Sequence, residues 1–281
     1  MRIFANFRAM EDMAHGEKND YNKNTDPIRR NVEMHRIGLQ TYTIRDLLTT
    51  PEESRKTFSA VRECGYDFVQ IFGNRKRLEA DTRVCRELGI NVIGAVIMLD
   101  MCEEDPDGLI ALFKESGMKD ISVSSVVKTE AETRDFIMRA NAFAERAVSE
   151  GLTFSYHNHS SEFLRTECGK TVMELMLEGF SDKVDFMPDI YWIHNGGFDV
   201  RHFLELAAGR YHHVHLKDMK KIEKGCTFAP LGEGNLYLPG IIRTAIAGGA
   251  NTFIVEQDMC DEDQLLCAKK SIDHLRSLGI L

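Results

Sequence analysis

Tyr211 to Asp218 reads Y-H-H-V-H-L-K-D, a short run whose apolar residues alternate with a histidine, a lysine and a second histidine. His213, His215 and Lys217 share one parity and Val214 and Leu216 the other, so a strand here points its polar residues to one face. Three more stretches repeat the design: F-S-Y-H-N-H at 154–159, V-D-F-M-P-D at 184–189 and F-I-V-E-Q-D at 253–258. Each brings a metal-capable side chain to the tail of a strand, which gives His157, Asp189, His215 and Glu256. Read singly, each has a plain explanation: a strand-end Asp caps the next helix, and a lone His is a satisfied polar residue. At matching positions on four successive strands they make a mixed nitrogen and oxygen donor set. Such a set suits one divalent ion of the Mn²⁺, Zn²⁺, Co²⁺ or Fe²⁺ kind better than Ca²⁺.

These residues meet only if the strands are parallel and their C-terminal ends converge. The pattern from Ile37 onward predicts that. I-G-L-Q-T-Y-T-I at 37–44 is a strand, and Thr50-Pro51-Glu52-Glu53 is a helix start, with Thr50 as cap and proline at the first helical position. That helix stops at Gly65. D-F-V-Q-I-F, N-V-I-G-A-V-I-M and D-I-S-V-S-S follow as strands, with helices over about 78–88, 106–117 and 131–150 between and after them. L-T-F-S-Y-H-N-H, K-V-D-F-M-P-D, the Tyr211 stretch and N-T-F-I-V-E-Q-D complete eight, separated by helices over about 170–178 and 200–208, a longer loop, and a helix starting at Pro239. A last helix covers about 262–278. Helix after helix ends at glycine with a strand just behind it. This is the alternation of a closed (β/α)₈ TIM barrel, and no G-x-G-x-x-G follows the first strand to support a dinucleotide fold. Residues 36–281 read as a single catalytic barrel, and residues 1–35 as a polar N-terminal extension, a tail or an arm.

Composition narrows the function classes. A formal charge of −9 argues against a nucleic-acid partner, which needs concentrated Lys and Arg. No apolar run reaches the ~20 residues that span a bilayer, and the first residues lack a signal-peptide core. Seven scattered cysteines without a C-x-x-C pair read as small apolar packers in a reducing cytoplasm. These features are compatible with a small neutral or modestly polar substrate.

Several motifs together resemble the sugar phosphate isomerase/epimerase superfamily, the xylose isomerase-like TIM barrels (AP endonuclease family 2), in the Y-H-N-H branch. They are G-L-Q-T-Y-T-I-R-D at 38–46, Y-H-N-H-S-S-E-F at 156–163, D-I-Y-W at 189–192, H-L-K-D at 215–218, L-G-E-G at 231–234 and I-V-E-Q-D at 254–258. The resemblance implies a divalent metal held by Asp189, His215 and Glu256 with a fourth ligand from strand five. Its epimerases carry glutamate at that fourth position and use two metal-bound glutamates as the proton-transferring pair. Here His157 stands there, which leaves Glu256 as the remaining carboxylate of the pair. Glu162 or His159, a few residues on, is then the candidate for the second acid or base. The resemblance also implies a homo-oligomer, since dimers and tetramers are common among such proteins.

The expected activity is that of a metal-dependent isomerase or epimerase of a small sugar or keto-sugar. Glu256 takes a proton beside a carbonyl, through a metal-stabilised enediolate. A lyase, dehydratase or hydratase on a keto-sugar or inosose shares the first step and is the alternative that His157 favours. An endonuclease IV-like enzyme and a non-catalytic metal-binding barrel are the minor alternatives. Lys217 faces the cavity and holds a substrate hydroxyl or oxyanion, or else pairs with Asp218 or Asp189. Gln40, His159, Trp192 and Phe72 are the further candidates for contacting substrate, with Trp192 walling a sugar ring. Glu233 shapes the loop over the pocket. His194, His202 and His212 read as surface or packing residues.

Overall fold

The computed structural model describes residues 35–279; the expected extension falls, apart from His35, outside the described residues. Ten strands follow one another: β1 (Arg36–Gln40), β2 (Phe68–Phe72), β3 (Asn91–Met98), β4 (Asp120–Ser124), β5 (Thr153–His157), β6 (Asp185–Met187), β7 (His213–Leu216), β8 (Asp218–Ile222), β9 (Gly225–Ala229) and β10 (Thr252–Val255). Eight of them form one parallel sheet in the order β6-β5-β4-β3-β2-β1-β10-β7. Its two ends meet: Phe186 N donates to Arg210 O at 2.7 Å, His215 N donates to Pro188 O at 2.9 Å, and Asp189 bridges His215 in parallel. The result is the (β/α)₈ TIM barrel the sequence predicts. β8 and β9 are an antiparallel hairpin inserted before the eighth barrel strand, where only a longer loop was expected.

The helices are α1 (Pro51–Cys64), α2 (Arg75–Leu88), α3 (Leu99–Glu104), α4 (Pro106–Ser116), α5 (Glu130–Ser149), α6 (Val172–Gly179), α7 (Ile190–Asn195), α8 (Val200–Leu206), α9 (Leu238–Ala247) and α10 (Gln264–Ser277). α1 starts as its sequence dictates, with Thr50 Oγ1 accepting from Glu53 N at 3.2 Å and Pro51 in the first turn. α2 begins earlier than expected because the Asn74 side chain caps it. α3 and α7 are short helices, not expected from the sequence, that follow directly on β3 and β6. Several strands are also shorter than their alternation suggests. After Gln40 the chain turns into a 3-10 helix over Thr41–Leu47, and Gln40 Oε1 accepts from Tyr42 N at 3.4 Å.

The strands separate two cores by parity. Outward residues such as Leu39, Ile71, Ile97, Val123, Phe154, Leu216 and Phe253 are buried under the helices in one large cluster. Inward, Phe68, Val96, Met187 and Ile254 form a small apolar floor inside the barrel. Gly38 makes that floor possible, since a Cβ there would stand 2.0 Å from the Phe68 ring. All seven cysteines are free. Cys85, Cys102 and Cys267 are buried packers, whereas Cys168 lies on the surface. Among the described residues no helix is long and apolar enough to cross a membrane.

Candidate metal centre

Above the apolar floor the barrel becomes polar. His157 ends β5, His215 lies on β7, Asp189 follows β6 and Glu256 follows β10. One ligand atom from each lies within 4.8 Å of all the others, and all four residues are buried. The four side chains named from strand tails are thus brought together at one point.

Asp189 serves two structures at once. Its Oδ1 accepts from Trp192 N at 3.0 Å and caps α7, and its own N–H donates to Asn158 Oδ1 at 2.9 Å. The cap holds the carboxylate in place, with the buried Oδ2 turned to the Lys217 ammonium at 3.1 Å. His215 is equally constrained. Gln40 Nε2 donates to Gln70 Oε1 at 2.8 Å, and His215 Nε2 reaches the same oxygen at 2.7 Å. Gln70 Oε1 accepts both, so Nε2 carries a proton and the ring is held with Nδ1 toward the centre. Nδ1 lies 2.7 Å from Glu256 Oε2. The His157 ring lies 4.5 Å from that of His215, with Nε2 3.8 Å from Asp189 Oδ2 and Nδ1 buried without a partner.

Lys217 is the cation the chain itself supplies. It is 1% exposed, and Nζ lies 3.1 Å from Asp189 Oδ2, 3.0 Å from Glu256 Oε2 and 2.7 Å from Asp258 Oδ1. Its partners do not include Asp218, which faces the other way. Three carboxylates thus surround one ammonium, an acidic excess that suits a divalent ion. The convergence of two imidazoles and two carboxylates within 4.8 Å, with His157 Nδ1 left without a partner, makes the four residues a fit for such an ion.

The electrostatics follow from burial set against these contacts. Burial pushes the Glu256 carboxyl up, but the Lys217 ammonium and the His215 contact outweigh it and hold it at about 2. Burial lowers Lys217, and the three carboxylates overcome that and raise it above the ordinary lysine range. Asp189 and Asp258 are raised, chiefly by burial, with Lys217 opposing. Burial, helped by His215, His159 and Lys217, keeps His157 well below the usual histidine value, which is the neutral form that binds metals.

Glu162 is buried, but its carboxylate is turned into its own loop. Oε1 accepts from Tyr156 OH at 2.7 Å and from His159 N at 2.9 Å, and Oε2 from Ser161 Oγ at 2.9 Å. His159 stands nearer the centre, its ring 5.0 Å from His157 and 5.5 Å from Trp192. Trp192 lies beside Lys217, whose Nζ is 5.6 Å from its ring, and its Nε1 is a buried donor without a partner. Gln40 acts one step back, through Gln70. Phe72 is 42% exposed and packs edge-on to Tyr42 at 4.9 Å. His194, His202 and His212 are exposed.

Sequence reasoning passed over Asp258, Gln70 and Asn158, and offered Asp218 only as a partner for Lys217. Parity signals the first two: Asp258 lies two residues beyond Glu256, and Gln70 pairs in register with Gln40. Asp218 joins two of the motifs. Its carboxylate accepts from the backbone N–H of Met219, Gly232, Gly234 and Leu236 at 2.8–3.2 Å, which gathers the L-G-E-G loop behind Lys217. A Cβ on Gly234 would meet Asp218 Oδ1 at 2.2 Å, so only glycine fits there. Glu233 in that loop pairs with Lys270 at 3.3 Å.

The family model described as xylose isomerase-like TIM barrel matches residues 58–278. Among solved structures, a sugar phosphate isomerase/epimerase from Parabacteroides distasonis is similar at 20% identity and a TM-score of 0.73, over 88% of this chain and 99% of that one. An L-ribulose 3-epimerase is similar at 17% identity and 0.66, over 87% and 94%. A probable 3-DHS dehydratase from Bacillus anthracis is similar at 13% identity and 0.64, over 85% and 98%. No curated protein matches the chain. At these identities the likenesses speak to the fold.

Proposed function

This chain belongs to the xylose isomerase-like TIM barrel family, and on that footing we propose that it is a divalent-metal-dependent isomerase or epimerase of a small sugar or keto-sugar. The observation that carries this reading is the buried His157, Asp189, His215 and Glu256 group, whose donor atoms converge within 4.8 Å and include the unpartnered His157 Nδ1. When bound, a divalent ion there supplies Lewis-acid polarisation of a substrate carbonyl. The chain's own residues do the rest.

Lys217 Nζ is shared among three carboxylates, so a substrate oxygen that gains negative charge can draw it away from Glu256. That leaves the Glu256 carboxylate free to take a proton from the carbon beside the carbonyl. Trp192 walls the sugar, and its free Nε1–H donates to a substrate oxygen. His159 is the second proton carrier, and Glu162 positions it by accepting its backbone N–H and the Tyr156 hydroxyl. Gln40 and Gln70 fix the His215 ring.

The second reading is a lyase or dehydratase. It is favoured by His157 standing where the family's epimerases have a glutamate, and by the engagement of both Glu162 oxygens with their own loop. Without a second carboxylate facing the substrate, loss of a β-hydroxyl competes with return of the proton. An endonuclease IV-like activity asks for a three-ion cluster, more ligands than this group of four supplies.

Metal-loaded protein incubated with keto-sugars in D₂O tests the proposal. Deuterium should appear on the carbon beside the carbonyl and disappear in Glu256→Gln. Release of a dehydrated product in place of a deuterated sugar selects the lyase reading. Exchange that persists in Glu256→Gln overturns the assignment of the base.

A further inference from the structure

The strand order divides the barrel mouth into two arcs. All four ligands come from β5, β6, β7 and β10 or the residues just after them. These strands are consecutive in the closed barrel, because β6 meets β7 at the Asp189–His215 bridge. The opposite arc is carried by β4, β3, β2 and β1. On two of those strands the inward face is marked: Gln70 touches His215 and Met187, and Val96 packs with Phe68, Met187 and Ile254 inside the barrel. Two residues further along, Phe72 and Met98 share that parity and end their strands, so they face the barrel axis at the mouth. They are 42% and 48% exposed.

Beside Phe72 opens a cleft of ≈ 840 Å³ whose walls include Tyr42, Leu48 and Val84. Two guanidinium groups that line it are engaged by backbone. Arg45 Nη1 donates to Tyr42 O and Arg77 Nη1 to Leu48 O, both at 2.7 Å. A free sugar carries hydroxyls on every side. The polar arc meets those on one side, whereas Phe72 and Met98 offer no donor or acceptor on the other. Large apolar side chains exposed toward a reaction mouth are matched by an apolar ligand group.

Resting on the reading of the metal centre given above, we infer that the substrate is a sugar or keto-sugar bearing an apolar substituent, an aryl or alkyl group. The sugar end meets the polar arc, and the substituent lies over Phe72 and Met98 and runs into the adjoining cleft. A second copy of this chain is the other occupant such side chains could take, but their inward orientation around a concave mouth favours a small group over a protein surface.

The test uses full-length metal-loaded protein and pairs of phenyl and methyl glycosides of the common hexoses and pentoses, with Trp192, the single tryptophan, as fluorescent reporter. At least one phenyl glycoside should bind about tenfold tighter or more than its methyl partner, as burial of the ring predicts. In the Phe72→Ser, Met98→Ser double variant that ratio should fall to near one. A ratio near one in every wild-type pair, whether from equal binding or from none, overturns the inference. So does tighter binding of a hexose 6-phosphate than of any phenyl glycoside, which would assign the cleft to an anion through Lys76 and Arg83 on its lining. A wild-type dimer that the double variant dissociates, without any phenyl preference, assigns the arc to a second copy. Calorimetric titration with Mn²⁺ runs in parallel. Failure of the ion to bind condemns the metal centre and this inference with it, whereas ion binding without phenyl preference condemns the inference alone.

Discussion

Replacing Lys217 by methionine keeps the length of the side chain and removes the ammonium that three buried carboxylates share. In the metal-free protein, Asp189, Glu256 and Asp258 are then left without that counter-charge in a site where Lys217 is 1% exposed and Asp189 0%. Breaking a buried ion pair from one side costs about 3–5 kcal/mol, because the remaining charge stays desolvated. For a domain of this size each kcal/mol moves Tm by about 2–4 °C, so metal-free Lys217→Met should melt about 6–20 °C below wild type. A divalent ion neutralises Asp189 and Glu256 directly, and only the Asp258 contact stays unrepaired. If the ion relieves even half of the loss, linkage makes the variant bind it about tenfold tighter or more than wild type. Differential scanning fluorimetry with and without Mn²⁺, together with calorimetric titration, reads both effects. A metal-free variant that melts within about 2 °C of wild type and gains no ion affinity would refute the view that Lys217 holds the centre's charge in the absence of metal.

Other expectations follow from particular contacts. Asp218→Ala removes an acceptor from four backbone donors and should destabilise the protein by about 2–4 kcal/mol, with faster hydrogen exchange at Gly232, Gly234 and Leu236; unchanged exchange there would mean the loop is held by something else. Acid should also weaken the metal-free protein. The Glu256 carboxyl is depressed to about 2, so its contribution is fully present above the unfolded value of about 4.3 and is lost as pH falls toward 2. Urea unfolding at about pH 5 and about pH 3 should show that loss, and Lys217→Met should lack this component; identical acid slopes in the two proteins would speak against the pair. Glu162→Gln keeps an acceptor for the Tyr156 hydroxyl and should retain most proton exchange, whereas His159→Asn should lose it. The reverse ranking would make Glu162 the second proton carrier.

The barrel was legible because its signals are local and redundant. Proline and threonine at Pro51 and Thr50 start a helix, glycine at Gly65 and Gly89 ends one, and apolar runs lie between. The convergence of His157, Asp189, His215 and Glu256 was legible for a related reason: a residue at the tail of a parallel strand has only one place to go. What stayed hidden depends on contacts between distant elements. The alternation through Thr41–Ile44 reads as strand, yet Gln40 ties the chain into a 3-10 turn. The I-Y-W-I-H run after strand six is assigned no element from sequence, yet the Asp189 cap makes it helix α7. Asp258 closes the I-V-E-Q-D motif, but its role shows only in the folded position of Lys217. Glu162 reads as a free carboxylate until the donors of its own turn are in view.

The account turns on whether His157, Asp189, His215 and Glu256 hold one divalent ion. Elemental analysis of purified protein after reconstitution with Mn²⁺ or Zn²⁺ and removal of free ion reads this directly. Wild type should retain about one ion per chain, while Asp189→Asn and His215→Ala, folded by circular dichroism, should retain little. Wild-type protein that emerges without metal, or a His215→Ala protein that keeps a full complement, would contradict it.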